Sequence, residues 1–183
     1  MLLQEFFFKK ALEESGIPVK SPYKIDHKFA KNINNGIEYP IVFPMERVND
    51  IGRVLISSKK TNNYFFQGKF TQKKKWVLDF KDKIDSTINF SDRGRDPKLK
   101  YLFDENYFSQ MCSSKFILCP TDVYQWSYRF FESIMCKSIP IIDDNEIDIY
   151  SDNFMYYRKS DNHKYNQEWV EHNLKVFMQN HTV

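Results

Sequence analysis

Apolar side chains recur at helical spacing at the start of the chain. Leu2, Leu3, Phe6, Phe7 and Leu12 predict an amphipathic helix over residues 2–14, closed by Gly16 and Pro18. From Pro18 to Pro44 the pattern lapses into proline-punctuated, mostly polar text. Extended segments and loops are expected there, with Tyr39–Phe43 as the one short strand. Residues 46–58 predict a second helix with Val48, Ile51, Val54 and Leu55 on one face.

After Lys60 the pattern becomes regular. A buried strand, Tyr64–Gln67, ends at Gly68, and a helix follows over Gln72–Lys83 with Trp76, Val77 and Phe80 on one side. A second strand, Thr87–Phe90, runs into a polar loop with Arg93, Gly94 and Arg95. Then come a helix over Tyr101–Met111, a strand at Lys115–Cys119, a helix over Trp126–Cys136 and a strand at Ser138–Ile142. A weaker strand at Phe154–Tyr157 and a terminal helix over Gln167–Asn180 complete the series.

Strands alternating with helices of this length imply right-handed crossovers and a mostly parallel sheet of four or five strands. The expected fold is therefore α/β: a Rossmann-like, mostly parallel sheet flanked by helices over residues 60–183, with a small helical and irregular subdomain over residues 1–59. In such sheets ligands bind beyond the carboxyl ends of the strands. That rule selects the loops after Gln67, Phe90, Cys119 and Ile142.

Composition narrows the chemistry. The 183 residues include only five Gly, and neither GxGxxG nor GxxxxGK[ST] occurs, so glycine-rich phosphate loops are not expected. The formal charge is +3, and acidic residues are interspersed among the Lys pairs and runs at Lys9–Lys10, Lys59–Lys60 and Lys73–Lys75. These read as solvated surface, with a polyanionic acceptor or an anionic membrane face as alternatives. A nucleic-acid partner is not expected from so weak a basic footprint. Cys112, Cys119 and Cys136 sit among apolar residues with no metal-ligand spacing, as buried free thiols of a reducing compartment would. His163, His172 and His181 are too scattered for a metal site. The amino-terminal apolar run is too short and too charged for a signal peptide, and no stretch is long enough to span a bilayer. A cytoplasmic protein without a membrane span is the expectation.

The stretch from Ser114 to Asp144, SKFILCPTDVYQWSYRFFESIMCKSIPIIDD, carries the most chemistry. A buried strand stops at Pro120, a polar loop follows, and a helix starts near Ser127 with its free N–H groups at the carboxyl edge of the sheet. Such a terminus favours an anion such as a diphosphate. Arg129 lies in the first turn, where its fixed charge reaches the same anion. Glu132 is three residues on and on the same face, suited to accepting hydrogen bonds from ribose hydroxyls. Arg129 and Glu132 are equally well spaced for a plain helix-surface ion pair.

These residues resemble the nucleotide-sugar-binding half of the exostosin-like glycosyltransferases. That half carries a SKFCLCP-type strand, an S-x-R-x-x-E helix and a G-C-I-P-V-I-type strand. Ser114–Pro120, Ser127–Glu132 and Cys136–Ile142 correspond, and the likeness covers roughly residues 62–145. Lys137–Ser138 stands where the family has Gly before the last strand. The resemblance implies a two-domain GT-B architecture and transfer of a sugar from a nucleotide donor, a UDP-sugar being the expected one, with inversion and without a resident cofactor or metal. It implies that Ser127, Arg129 and Glu132 contact donor diphosphate and ribose.

Thr121, Lys69, Arg93 and Asp143 join the donor set by their places on the loops at the sheet edge; each is also suited to ordinary loop structure. Asp143 and Asp144 could equally cap the next turn. Trp126 and Tyr128 suit either stacking on the donor base or packing into the sheet. Inversion requires a general base for the acceptor hydroxyl. Asp26, His27, Glu38 and Glu46 are the candidates in the amino-terminal part, which reads as a reduced acceptor side for a carbohydrate. Either it suffices alone, or an oligomer or partner chain completes the site. A donor-fold domain without catalysis, serving as a subunit or carbohydrate-binding module, is the alternative.

Overall fold

The computed structural model describes residues 2–91, 101–146, 149–150 and 153–183. Helix α1 (Leu3–Glu14) buries Phe7, Phe8, Ala11 and Leu12. Three short strands follow, β1 (Tyr23–Asp26), β2 (Lys31–Asn34) and β3 (Ile37–Tyr39), paired antiparallel in the order β1-β2-β3. Phe8, Leu12 and Val42 form a small core with Tyr23, Ile25 and Tyr39 of this sheet. The polar text therefore folds into a sheet, and the expected strand at Tyr39–Phe43 is only the end of β3.

Two features explain the difference. Asn35 and Gly36 have φ of 52° and 76°, the two left-handed residues of a tight hairpin turn between β2 and β3. In β2 the inward positions are Asn32 and Asn34, both buried, while Ile33 is only half-buried. The alternation is thus polar-in. Asn32 accepts from Gln4 Nε2 at 2.9 Å and donates to Pro40 O at 2.8 Å, so the buried amide is satisfied.

Helix α2 (Met45–Ile56) has no cap of its own at Pro44; Glu14 of α1 accepts from the Met45 and Glu46 N–H groups instead. The larger sheet begins with β4 (Asn62–Lys69). A 3₁₀ helix (Gln72–Phe80) leads to β5 (Thr87–Ser91), where an α-helix to Lys83 was expected. Lys73 and Lys75 face out, Lys74 is half-buried, and Trp76, Val77 and Phe80 are buried. Then follow α3 (Glu105–Cys112), β6 (Ser114–Leu118), α4 (Tyr128–Met135), β7 (Ile139–Ile142), β8 (Tyr157–Arg158) and α5 (Gln167–Asn180). The order is β5-β4-β6-β7-β8 and every pairing is parallel. The fold is α/β with a five-stranded parallel sheet of Rossmann-like organisation.

Both faces of the sheet are covered, as a parallel sheet requires. Phe65, Ile117 and Ile142 meet residues of α2, α3 and α4 on one face, and Phe7 and Phe43 join that same core. Phe66, Phe116, Leu118, Ile139 and Ile141 meet the 3₁₀ helix and Val170 of α5 on the other. The first two strands in sequence, β4 and β5, step one way; the chain then crosses back past β4 to β6 and continues outward. This reversal makes a crevice at the carboxyl ends of β4 and β6, the place where open α/β sheets hold ligands.

Candidate functional site

A cavity of about 460 Å³ lies at that crevice, within the range of small-molecule sites. One wall is built by the turn from β6 into α4. Pro120 ends the strand run, Thr121–Gln125 form the loop, and Trp126 is buried with its Nε1 donating to His27 O at 2.8 Å. Ser127 is the N-cap of α4: its hydroxyl accepts from Arg129 N–H at 3.2 Å, and its own N–H donates to Tyr150 Oη at 2.8 Å. The start of α4 is therefore fixed from both sides and opens on the cavity.

The far end of α4 closes at Lys137–Ser138. Lys137 has φ of 53° and sits one place past the C-cap. Ser138 N–H donates to Ser133 O and Lys137 N–H to Ile134 O, the paired bonds of a Schellman close. A lysine thus holds a left-handed position that Gly takes without cost.

The floor of the cavity is a polar chain. Arg129 Nη2 donates to Gln67 O at 2.8 Å, Nε donates to Tyr107 Oη at 3.3 Å, and the guanidinium carbon lies 4.5 Å from the Phe66 ring centre. Tyr107 Oη donates to Glu132 Oε2 at 3.5 Å. Glu132 is only 2% exposed yet contributes to the cavity lining. Gly68 makes room for this arrangement, since a Cβ there would come within 2.9 Å of Arg129 Nη2. Lys74 reaches in from the 3₁₀ helix, its side chain 15% exposed and its Nζ 3.5 Å from Asp122 Oδ2. Burial lowers the Lys74 pKa below the ordinary lysine value, against the pull of Asp122. Two cations and a helix amino terminus thus face a pocket whose carboxylates, Asp122 and Glu132, are engaged with Lys74 and Tyr107.

Across the Thr121–Gln125 loop is a second cavity of about 450 Å³, with Lys73, Asp143, Asn145 and Glu146 opposite the loop. Thr121 N–H donates to Glu146 Oε1 at 3.0 Å. Burial pushes the Glu146 carboxyl up to about 7, partly offset by that hydrogen bond. Thr121, Asp122, Val123 and Tyr124 line both cavities, so the two share this loop as a common border.

No family model and no curated protein matches the chain. The site is therefore read from its own geometry. Ser127, Arg129, Glu132 and Thr121 are brought together at the first cavity, while Asp143 belongs to the second. Lys69 is exposed at the end of β4 and is absent from both linings; Lys74 is the lysine that enters the site. Arg93 and Arg95 lie outside the described residues. Asp144 accepts from Ser160 N–H at 2.9 Å and so ties the turn after β7 to the one after β8.

The four base candidates are spread out. Asp26 accepts from Lys28 and Phe29 N–H groups and pairs with Lys24, and the Phe29 bond foremost holds its carboxyl below the usual range. Glu38 pairs with Lys31 at 2.6 Å, and Glu46 pairs with Lys10. The His27 ring lies 5.9 Å from that of Tyr124, so His27 alone of the four touches the site loop. Among the described residues, the linings of the two cavities include none of the four.

The lysine runs are not uniformly solvated. Besides Lys74, Lys60 is largely buried, donating to Cys136 O and Ser138 Oγ, and burial lowers its pKa to about 8. Sequence reasoning missed Lys74 because it sits inside a surface-like run. It missed Tyr107 as a polar partner because that residue reads as one more aromatic on the apolar face of α3. The three cysteines are free and buried. Among the described residues, no group of three or more His, Cys, Asp or Glu could hold a metal ion, and no helix is long and apolar enough to cross a membrane.

Proposed function

We propose that the first cavity is the donor site of a glycosyltransferase that takes a sugar from a nucleoside diphosphate, a UDP-sugar being the expected donor. The observation that carries this reading is the meeting, at the topological switch of a parallel sheet, of a capped helix amino terminus with Arg129, Lys74 and Glu132 in one 460 Å³ pocket. The amino end of the α4 dipole and the two cations suit a diphosphate. Glu132, reached through the same pocket, suits ribose hydroxyls. The Ser127 hydroxyl, whose proton is not used by the cap, offers a further donor, and Thr121 borders the same pocket. The resemblance of Ser114–Ile142 to the exostosin-like enzymes points the same way, and a carbohydrate hydroxyl is then the acceptor.

Turnover tests the reading. Incubation with UDP- and GDP-sugars across a panel of oligosaccharide acceptors, with water as the default acceptor, should release nucleoside diphosphate from one donor class. Binding of a nucleotide without any release would favour the second reading, a donor-fold domain that serves as a subunit or carbohydrate-binding module. The engagement of Asp26, Glu38 and Glu46 in turns and ion pairs away from the cavities is the observation that favours it.

A further inference from the structure

We infer that the second cavity is the acceptor site and that Glu146 is the catalytic base that takes the proton from the acceptor hydroxyl. The inference rests on the reading of the first cavity as the donor site. Glu146 follows β7, the strand next to β6, so its turn stands beside the loop that borders both cavities. That turn is held in place from β8: Arg158 Nη1 donates to the carbonyls of Asp143, Asp144 and Glu146 at 3.1, 3.0 and 3.1 Å. The Glu146 side chain is then aimed from Thr121, whose N–H donates to Oε1. Its other oxygen, Oε2, is shielded from water and has no hydrogen-bond partner. A buried acceptor oxygen without a donor is costly, and an incoming hydroxyl supplies the missing donor.

The carboxylate is also poised. Burial raises its pKa to about 7; Asp143 pushes the same way, while the Thr121 bonds and Arg158 oppose. Tyr150 and Cys119 are the other titratable groups that feel it, and burial keeps both neutral. A base near the working pH is half ionised and still strong enough to accept a proton. Thr121 lines both cavities, so the residue that holds Glu146 also borders the first one.

The step balances. The acceptor hydroxyl gives its proton to the Glu146 carboxylate while its oxygen forms a bond to the anomeric carbon. The bond from that carbon to the diphosphate oxygen breaks, and the electron pair leaves on the nucleoside diphosphate. Arg129, Lys74 and the amino end of α4 face the charge that develops there.

Glu146→Gln and Glu146→Asp test this, with UDP titration, UDP-sugar turnover and the pH–rate profile as readouts. The Gln variant should bind UDP as the wild type does, transfer or hydrolyse about 10²–10⁴-fold more slowly, and lose the acid limb that the wild type shows near pH 7. The Asp variant, one methylene shorter, should retain part of the rate. Wild-type turnover in the Gln variant would overturn the inference while leaving the donor reading intact. Loss of UDP binding in a folded Gln variant would overturn it too, by placing Glu146 on the donor side. Should the Gln variant not fold, the wild-type profile decides: no acid limb near pH 7 means Glu146 is not the base. A wild type that binds UDP but never turns over also overturns it, and one that binds no nucleotide removes the donor reading and this inference together.

Discussion

The surroundings of Arg47 and of Arg129 are built from the same chemistry and serve different ends. Arg47, on the first turn of α2, is 7% exposed, lies 5.3–5.6 Å from the rings of Phe7, Phe103 and Phe108, and donates to Leu102 O. Arg129, on the first turn of α4, lies over Phe66 and donates to Gln67 O. The cavity beside Arg47 measures about 150 Å³, below the range for a small-molecule site. The one beside Arg129 is three times larger and opens where the strand order reverses. An arginine over an aromatic ring, tied to a carbonyl, is thus no sign of a site by itself. Its place relative to the sheet edge makes the difference.

Mutations at the two places should separate stability from binding. Arg47→Ala should cost about 2–4 kcal/mol of stability, from lost cation–π contact, stem packing and the Leu102 bond, with nucleotide affinity of the folded protein unchanged; urea unfolding and titration read the two effects. Arg129→Ala should weaken nucleotide binding by about 1.5–3 kcal/mol, the scale of a charge-assisted hydrogen bond, with a smaller loss of stability. Equal stability losses with no change in binding would erase the contrast.

Glu146→Gln sharpens it by pH. Burial raises the folded carboxyl from the ordinary value to about 7, so the stability that the protonated acid contributes is full below pH 4.5 and fades as pH rises through 7. Discounted for its partial exposure, the variant should gain about 1–2 kcal/mol on the wild type between pH 4 and pH 8. Thermal unfolding across that range checks both sign and size. The smallest effect is expected of Gly68→Ala, whose Cβ would press on Arg129 Nη2 and on Phe66 Cζ at 3.1 Å. About 1 kcal/mol of stability should be lost, together with a few-fold loss of nucleotide affinity as the guanidinium shifts.

The parallel sheet was legible because each of its central strands carries a short apolar run, Tyr64–Phe66, Phe116–Leu118 and Ile139–Ile142, between helical periods. Helix α5 has the bounds that its pattern predicts, Gln167–Asn180. The amino-terminal sheet was not legible because Asn32 and Asn34 take the buried positions of β2 and reverse the usual alternation, although Asn35–Gly36 is a hairpin signal in the sequence itself. At the site, Ser127, Arg129 and Glu132 could be read together since one helix carries them. Tyr107, Lys74 and Glu146 arrive from three other elements, and only the fold joins them to the loop. Spacing along the chain has no means of showing that Glu146 meets Thr121, which lies 25 residues earlier.

Calorimetric titration of UDP and GDP into the wild type and into Arg129→Ala, with Arg47→Ala as the stability control, tests the central claim most directly. Saturable binding of one nucleotide, weakened about 10–150-fold in Arg129→Ala and kept in folded Arg47→Ala, is the predicted result. No binding of either nucleotide to the wild type, or equal binding in wild type and Arg129→Ala, would contradict a donor site at the crevice between β4 and β6.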